Sequence, residues 1–324
     1  MEHLSKYSDA LRKRLEETVA VQEPEQLYEP IRYILKLGGK RLRPTLTLLS
    51  CDFFSDDYEK AMNAALAVEL FHNFSLIHDD IMDEAPLRRG KETVHERWDL
   101  NTGILSGDAM LILAYQLFED YKPALFQQLA ILFSKTAIQV CEGQQYDIDF
   151  ENRDDVTLPE YLKMIEYKTA VLIGAAMEMG AIVAGASESC KKNIYAFGLN
   201  LGMAFQLQDD YLDAFGDPKT FGKQVGGDII SNKKTYLYLK AYENSNQMQA
   251  DELDGLYSIH PKDPSDKIAS VKMIFQHSGA AKAIQQEIEA YTKKANEVLE
   301  AINISPENKQ KLREFGDWLM KRNV

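Results

Sequence analysis

The chain has 324 residues, 45% of them hydrophobic and 27% charged, enough apolar material for a sizeable core. Its formal net charge of −13 argues against general nucleic-acid binding, because a phosphate backbone attracts basic surfaces. Three widely spaced cysteines, Cys51, Cys141 and Cys190, form neither a zinc signature nor a disulfide framework and point to a reducing, cytoplasmic setting.

In chain order the apolar periodicity is helical nearly everywhere. The opening MEHLSKYSDALRKRLEE is charged and helical in pattern, unlike a signal peptide. A helical run through Ile34 and Leu37 stops at Gly38-Gly39, a natural left-handed terminator. Leu66, Leu70, Phe74, Ile77 and Ile81 recur every three or four positions and lead into HDDIMDEAPLRRG. Thr169 to Ala186 is almost wholly apolar and near the minimum spanning length. The charge of Glu178 at its centre and its many Gly and Ala residues predict a helix buried in protein, so no membrane span is expected. Asn244 to Asp266 is polar, broken by Pro261 and Pro264, and reads as a surface connection. Ser305-Pro306 reads as an N-cap followed by a first-turn proline. No sustained period-two alternation with hairpin residues appears, so strands are few or absent. With no low-complexity linker, the expectation is a single all-α domain over residues 1–324.

Asp-Asp-x-x-Asp occurs twice, at Asp79, Asp80 and Asp83 and again at Asp209, Asp210 and Asp213, in FQLQDDYLDAFGD. On helices, the first and last Asp of each motif stand one turn apart on the same face. Such clustered carboxylates repel one another and need a cation, and oxygen ligands without Cys or His favour Mg²⁺ over zinc. Basic residues accompany both motifs. Gly38-Gly39-Lys40-Arg41-Leu42-Arg43-Pro44 follows a glycine pair with three cations, suited to phosphate. Arg88-Arg89 follows the first Asp motif, Lys168 borders the apolar helix, and Lys223 and Lys233 follow the second motif among Gly222, Gly226 and Gly227. Three Mg²⁺ would only neutralise the six aspartates, leaving a bound diphosphate to Lys and Arg. Two separate basic sets, one at Lys40/Arg43 and one around Arg88, Lys168 and Lys223, suggest two anionic groups, one metal-bound and one metal-free.

From about Tyr28 to Thr235 the chain resembles the trans-isoprenyl diphosphate synthases, the polyprenyl synthetase family, through five ordered motifs. These are GGKRLRP, HDDIMDEAPLRRG, the Gly143-Gln144 and Lys168-Thr169 sites, FQLQDDYLD, and GKQVGGDI with Lys233. The resemblance implies an all-α bundle around a deep central cavity, usually a homodimer. It also implies Mg²⁺-dependent head-to-tail condensation of isopentenyl diphosphate with dimethylallyl, geranyl or farnesyl diphosphate. Asp79, Asp80, Asp83 and Asp209 would hold three Mg²⁺ on the allylic diphosphate, with Asp210 and Asp213 close by. Arg88, Lys168 and Lys223 would grip that diphosphate, joined by Lys233. Lys40, Arg43, Arg89 and His72 would take isopentenyl diphosphate, although a lone His72 on an apolar helix equally fits a satisfied core residue. Thr169 and Gln206 would line the carbocation, and Gln144 and Asp147 would support the metals from behind.

The growing product should run down the helix that carries Asp79, where Phe74 lies about 7.5 Å and Phe71 about 12 Å below. Within the family, an aromatic residue five positions before the first Asp resembles short-chain enzymes. Ser75, and the lack of a two-residue insertion in the first motif, lean towards a C20 geranylgeranyl product over C15 farnesyl. Ordinary core packing of Phe71 and Phe74 is the competing reading. Two other functions stay open: a class I terpene cyclase, which has no use for the Lys40/Arg43 set, and a non-catalytic subunit, which generally lacks one Asp motif.

Overall fold

The computed structural model describes residues 2–18, 22–217 and 225–320. They are overwhelmingly helical, as predicted. The exception is an antiparallel hairpin, β1 Leu87–Arg88 with β2 Lys91–Glu92. The chain divides into two compact units, residues 1–136 with 175–195 and residues 137–174 with 196–324.

The first unit contains α1 Glu2–Thr18, α2 Glu25–Lys36, α3 Leu42–Ser55, α4 Met62–Met82, the single turn α5 Val94–Arg97 and α6 Leu100–Gln116. Its centre is α4. Small Ala64, Ala65 and Ala67 and larger Leu66, Val68, Leu70 and Phe71 are all buried, so the helix is enclosed on every side rather than on one stripe. α2 ends as predicted: Leu37 caps it and Gly38 follows in the left-handed region at φ +80°. The long α7, Pro123–Glu151, is apolar enough to cross a membrane by length and composition, and 22% of its most apolar window is buried. The predicted buried helix is α9, Val171–Val183, with Val171, Leu172, Ala175, Ala176, Met177 and Met179 all buried. Burial pushes the carboxyl of Glu178 up to about 7, with Glu188 adding to the rise and Lys191 opposing it.

The second unit builds its core from Phe150, Met164, Ile165, Leu207, Leu237, Leu253, Val271, Phe275 and Ile284. α8, Leu158–Ile165, starts in a capping box between Thr157 and Glu160. It runs into a π-helical turn, Glu166–Ala170, and then into α9. α10, Glu188–Phe215, carries the second Asp motif. The predicted surface connection, Asn244 to Asp266, instead contains a helix, Gln247–Tyr257. Asn246 accepts from the Gln249 N–H at 3.1 Å, and Gln249 accepts from the Asn246 N–H at 3.1 Å. This helix buries only Ala250 and Leu253, too little apolar surface to produce a periodic signal. The predicted cap at the start of Pro306–Met320 is present, with Ser305 Oγ accepting from the Asn308 N–H at 3.1 Å.

Candidate active site

In the first unit the glycine pair, the hairpin and α4 converge on one basic cluster. The hairpin turn puts Arg89 at φ 54° and Gly90 at φ 73°, the two left-handed residues that a tight two-residue turn requires. Arg89 spends that strain on reach, since its guanidinium donates to the carbonyl of Gly38. A Cβ on Gly39 would lie 2.7 Å from Arg89 Nη2, and Gly39 sits at φ 125°, a conformation that favours glycine. Arg43, in the first turn of α3, places Nη1 3.3 Å from His72 Nε2. Arginine can only donate, so Nε2 accepts and the imidazole is neutral. Burial and the charges of Arg43, Arg89 and Arg88 agree, holding the His72 pKa well below its ordinary value. Lys40 is exposed on the connecting loop. Beside these lies Glu69, 4% exposed, with Arg41 Nε 4.0 Å from its Oε1. Burial raises its pKa against the pull of Asn73, Arg41 and Arg43. Glu69 was not singled out in the sequence, where its charge on an apolar helix was the available signal.

The first Asp motif closes α4. The Asp83 N–H donates to the Asp79 carbonyl at 2.9 Å, so the helical turn persists and the two carboxylates stand one turn apart. Asp80 is 1% exposed and bound by Arg88, whose Nε lies 2.7 and 2.8 Å from its two oxygens. Arg88 Nη2 also reaches Asp79 Oδ2 at 3.4 Å. Burial pushes the Asp80 carboxyl up while Arg88 pulls it down. For Arg88, burial works against the charge, but Asp80, Asp79 and Asp83 outweigh it and raise its pKa. The forked geometry makes the pair ionic. Phe74, 8% exposed, packs with Phe71 at 5.6 Å between ring centroids and with His78 at 4.7 Å. Phe71, 1% exposed, is backed by Phe133 at 5.2 Å, so it belongs to an aromatic core cluster. Ser75 Oγ donates to the His72 carbonyl at 2.8 Å.

In the second unit, Lys168 and Thr169 lie on the π turn, a distortion that often marks functional sites. Gly143 on α7 permits it, since a Cβ there would meet Lys168 N at 2.3 Å. Lys168 Nζ donates to Asp147 Oδ2 at 2.6 Å. The buried amide nitrogen of Gln144 has no acceptor among the described residues, a donor left over for a ligand oxygen. On α10, Asp209 and Asp213 are half-buried and one turn apart, whereas Asp210 is 5% exposed. Tyr161 Oη donates to Asp210 Oδ2 at 2.5 Å and Gln206 Nε2 donates to Asp210 Oδ1 at 3.1 Å. Thr169 Oγ1 donates to Gln206 Oε1 at 3.1 Å. Burial and the charge of Asp228 push the Asp210 carboxyl up, while the hydrogen bonds from Tyr161 and Gln206 pull it down. Asp213 Oδ2 accepts from the Asp228 N–H at 3.0 Å, at the start of the turn Gly227–Ile230. The Lys233 N–H donates to the Asp228 carbonyl at 2.9 Å. Lys223 and Gly222 lie outside the described residues.

Among the described residues no three Asp, Glu, His or Cys side chains form a metal-ready group. What fits a metal is the donor chemistry: carboxylate oxygens in one-turn pairs on α4 and α10, suited to a hard divalent ion.

A sequence model of the polyprenyl synthetase family matches residues 24–274. The chain belongs to that family. It is 37% identical over 313 residues to the geranylgeranyl pyrophosphate synthase of Geoglobus acetivorans, covering 96% of this chain and 95% of that one. It is also 37% identical to the geranylfarnesyl diphosphate synthase of Natronomonas pharaonis, covering 97% and 95%. A crystal structure of a geranylgeranyl pyrophosphate synthase superposes with a TM-score of 0.95 at 56% identity, covering 99% of each chain. As a polyprenyl synthetase the protein is a prenyltransferase with the all-α fold of these enzymes. The resemblance seen in the five sequence motifs therefore holds along nearly the whole chain.

Proposed function

We propose that this polyprenyl synthetase is a Mg²⁺-dependent, short-chain trans-prenyltransferase that joins isopentenyl diphosphate head-to-tail (1'-4) to dimethylallyl, geranyl or farnesyl diphosphate. Geranylgeranyl diphosphate is favoured over farnesyl, in keeping with the C20 and longer products in the names of its relatives. The observation that carries the reading is the pair of one-turn carboxylate sets on α4 and α10, with Arg43, Arg88 and Arg89 clustered beside the first of them. Asp79, Asp80, Asp83 and Asp209 would hold three Mg²⁺, with Asp210 and Asp213 close by; Asp80 and Asp210 are the buried members of the two motifs. When bound, the metal ions stabilise negative charge on the departing pyrophosphate. Arg88 and Lys168, which already hold Asp80 and Asp147, exchange those partners for allylic diphosphate oxygens, with Lys223 and Lys233 assisting. Lys40, Arg43, Arg89 and neutral His72 hold isopentenyl diphosphate. Thr169 and Gln206 present oxygens to the allylic cation, and Gln144 donates to a ligand oxygen. Water must be kept from the cation, which it would quench, and released pyrophosphate takes the final proton.

Exposed apolar side chains on α6 and the start of α7, among them Leu105 and Ile112 at 59% and Ile131 at 63%, support a homodimer. Three free cysteines support a reducing cytoplasm. The test is product analysis: purified protein, Mg²⁺, labelled isopentenyl diphosphate and each allylic starter in turn, followed by phosphatase. Linear C20 alcohols are expected, and chelation of Mg²⁺ should abolish them. Cyclic hydrocarbons formed without isopentenyl diphosphate would instead mean a cyclase, and no product would mean a missing partner subunit.

A further inference from the structure

We infer that Tyr161 is a positioning residue for the allylic cation: acting through Asp210, it orients the Gln206 amide and the Thr169 hydroxyl so that lone pairs, not hydrogens, meet the reacting carbon. The inference rests on the proposed role of Thr169 and Gln206 as the lining of the cation.

The hydrogen-bond directions carry the argument. Tyr161, on α8 and 3% exposed, has one hydroxyl hydrogen and gives it to Asp210 Oδ2 at 2.5 Å. The other Asp210 oxygen takes the Gln206 N–H at 3.1 Å, which fixes which end of the amide is which. Gln206 Oε1 then points at Thr169 and draws in its only hydroxyl hydrogen at 3.1 Å. Thr169 Oγ1 is left with lone pairs alone for anything else that approaches. Were the amide reversed, its N–H would face Thr169, the hydroxyl would become an acceptor, and its hydrogen would swing outward. A hydrogen aimed at a forming carbocation raises its energy, whereas an oxygen lone pair lowers it.

The chain of bonds joins three elements, α8, α10 and the π turn, so none of its members is placed by its own helix alone. Buried polar chains of this kind hold one geometry when fully satisfied. If Tyr161 merely filled space, phenylalanine would serve and Asp210 would need another donor.

The test compares Tyr161→Phe, Gln206→Ala and the double variant with the wild-type enzyme and Mg²⁺. Tyr161→Phe keeps the ring and removes only the hydroxyl. Its kcat should fall about tenfold while KM for both diphosphates stays within about twofold. In the Gln206→Ala background the same change should leave kcat where it is. A folded Tyr161→Phe enzyme with wild-type kcat overturns the inference, and so do fold-losses that multiply in the double variant. If Gln206→Ala itself keeps wild-type kcat, the lining assignment falls and takes the inference with it, a result separable from failure of Tyr161 alone. Should Tyr161→Phe not fold, Tyr161→Phe/Asp210→Asn removes the stranded carboxylate and should show a kcat loss at least as large as that of Asp210→Asn alone. A smaller loss refutes the role of Tyr161.

Discussion

Gly143→Ala places one methyl group where the backbone of the π turn already runs. The new Cβ would lie 2.3 Å from Lys168 N, 2.7 Å from the Tyr167 carbonyl carbon and 2.8 Å from Lys168 Cα. All three are backbone atoms, so no rotamer change relieves the contact. Reaching an unstrained separation of about 3.5 Å requires α7 and the π turn to part by about 1 Å. Such overpacking costs about 1–3 kcal/mol of stability. The larger consequence is kinetic, because Lys168 and Thr169 lie on the displaced turn. Misplacing reacting groups by about 1 Å costs on the order of a hundredfold in rate. Gly143→Ala should therefore lose about a hundredfold in kcat and a few degrees in melting temperature. Initial rates of labelled isopentenyl diphosphate incorporation at saturating substrate, beside calorimetry, measure both. A variant with lowered melting temperature but kcat within about threefold of wild type would refute the link between this turn and turnover.

Asp79→Ala and Asp209→Ala should each cut turnover by orders of magnitude with helical content preserved; near-normal rates in either would remove that residue from the metal set. Phe74→Ala opens the aromatic cluster beneath the first Asp motif and should shift products to longer chains, visible by chromatography after phosphatase. An unchanged product would return Phe74 to the core. Glu178 has a folded-state pKa of about 7 against an ordinary value of 4.5, so the folded state binds more protons across that window and stability falls as pH rises through it. After discounting for its partial exposure, Glu178→Gln should gain about 1–2 kcal/mol at pH 8 and almost nothing near pH 4.5, by denaturant titration at both values. An equal gain at both pH values would refute the titration.

The residues that sequence made legible are those whose partners lie within a turn or a motif. The carboxylate spacing on α4 and α10, the stop at Gly38 and the cap at Ser305 each follow from local rules. Asn244 to Asp266 lies at the surface as read, but its helix was missed although Asn246 and Gln249 spell a capping box, because two prolines and a polar composition mask one local signal. The Arg88–Asp80 pair was hidden because it depends on the path of the loop from the end of α4 into β1, and Tyr161–Asp210 because 49 positions separate its members. Nor does any local pattern announce the π turn; Gly143, which admits its close approach, lies on another helix.

The Arg88–Asp80 ion pair gives the first Asp motif a built-in occupant. Under the proposed assignment, a divalent ion arriving alone meets carboxylates already partly neutralised by a guanidinium. A diphosphate arriving alone meets their negative charge. Arriving together, the diphosphate draws Arg88 away and frees Asp80's charge to favour the metal. Each ligand then raises the other's affinity by the same factor, as linkage demands. Under that assignment the motif would be a coincidence detector, weak for stray metal, weak for bare diphosphate, and tight for the two as a unit.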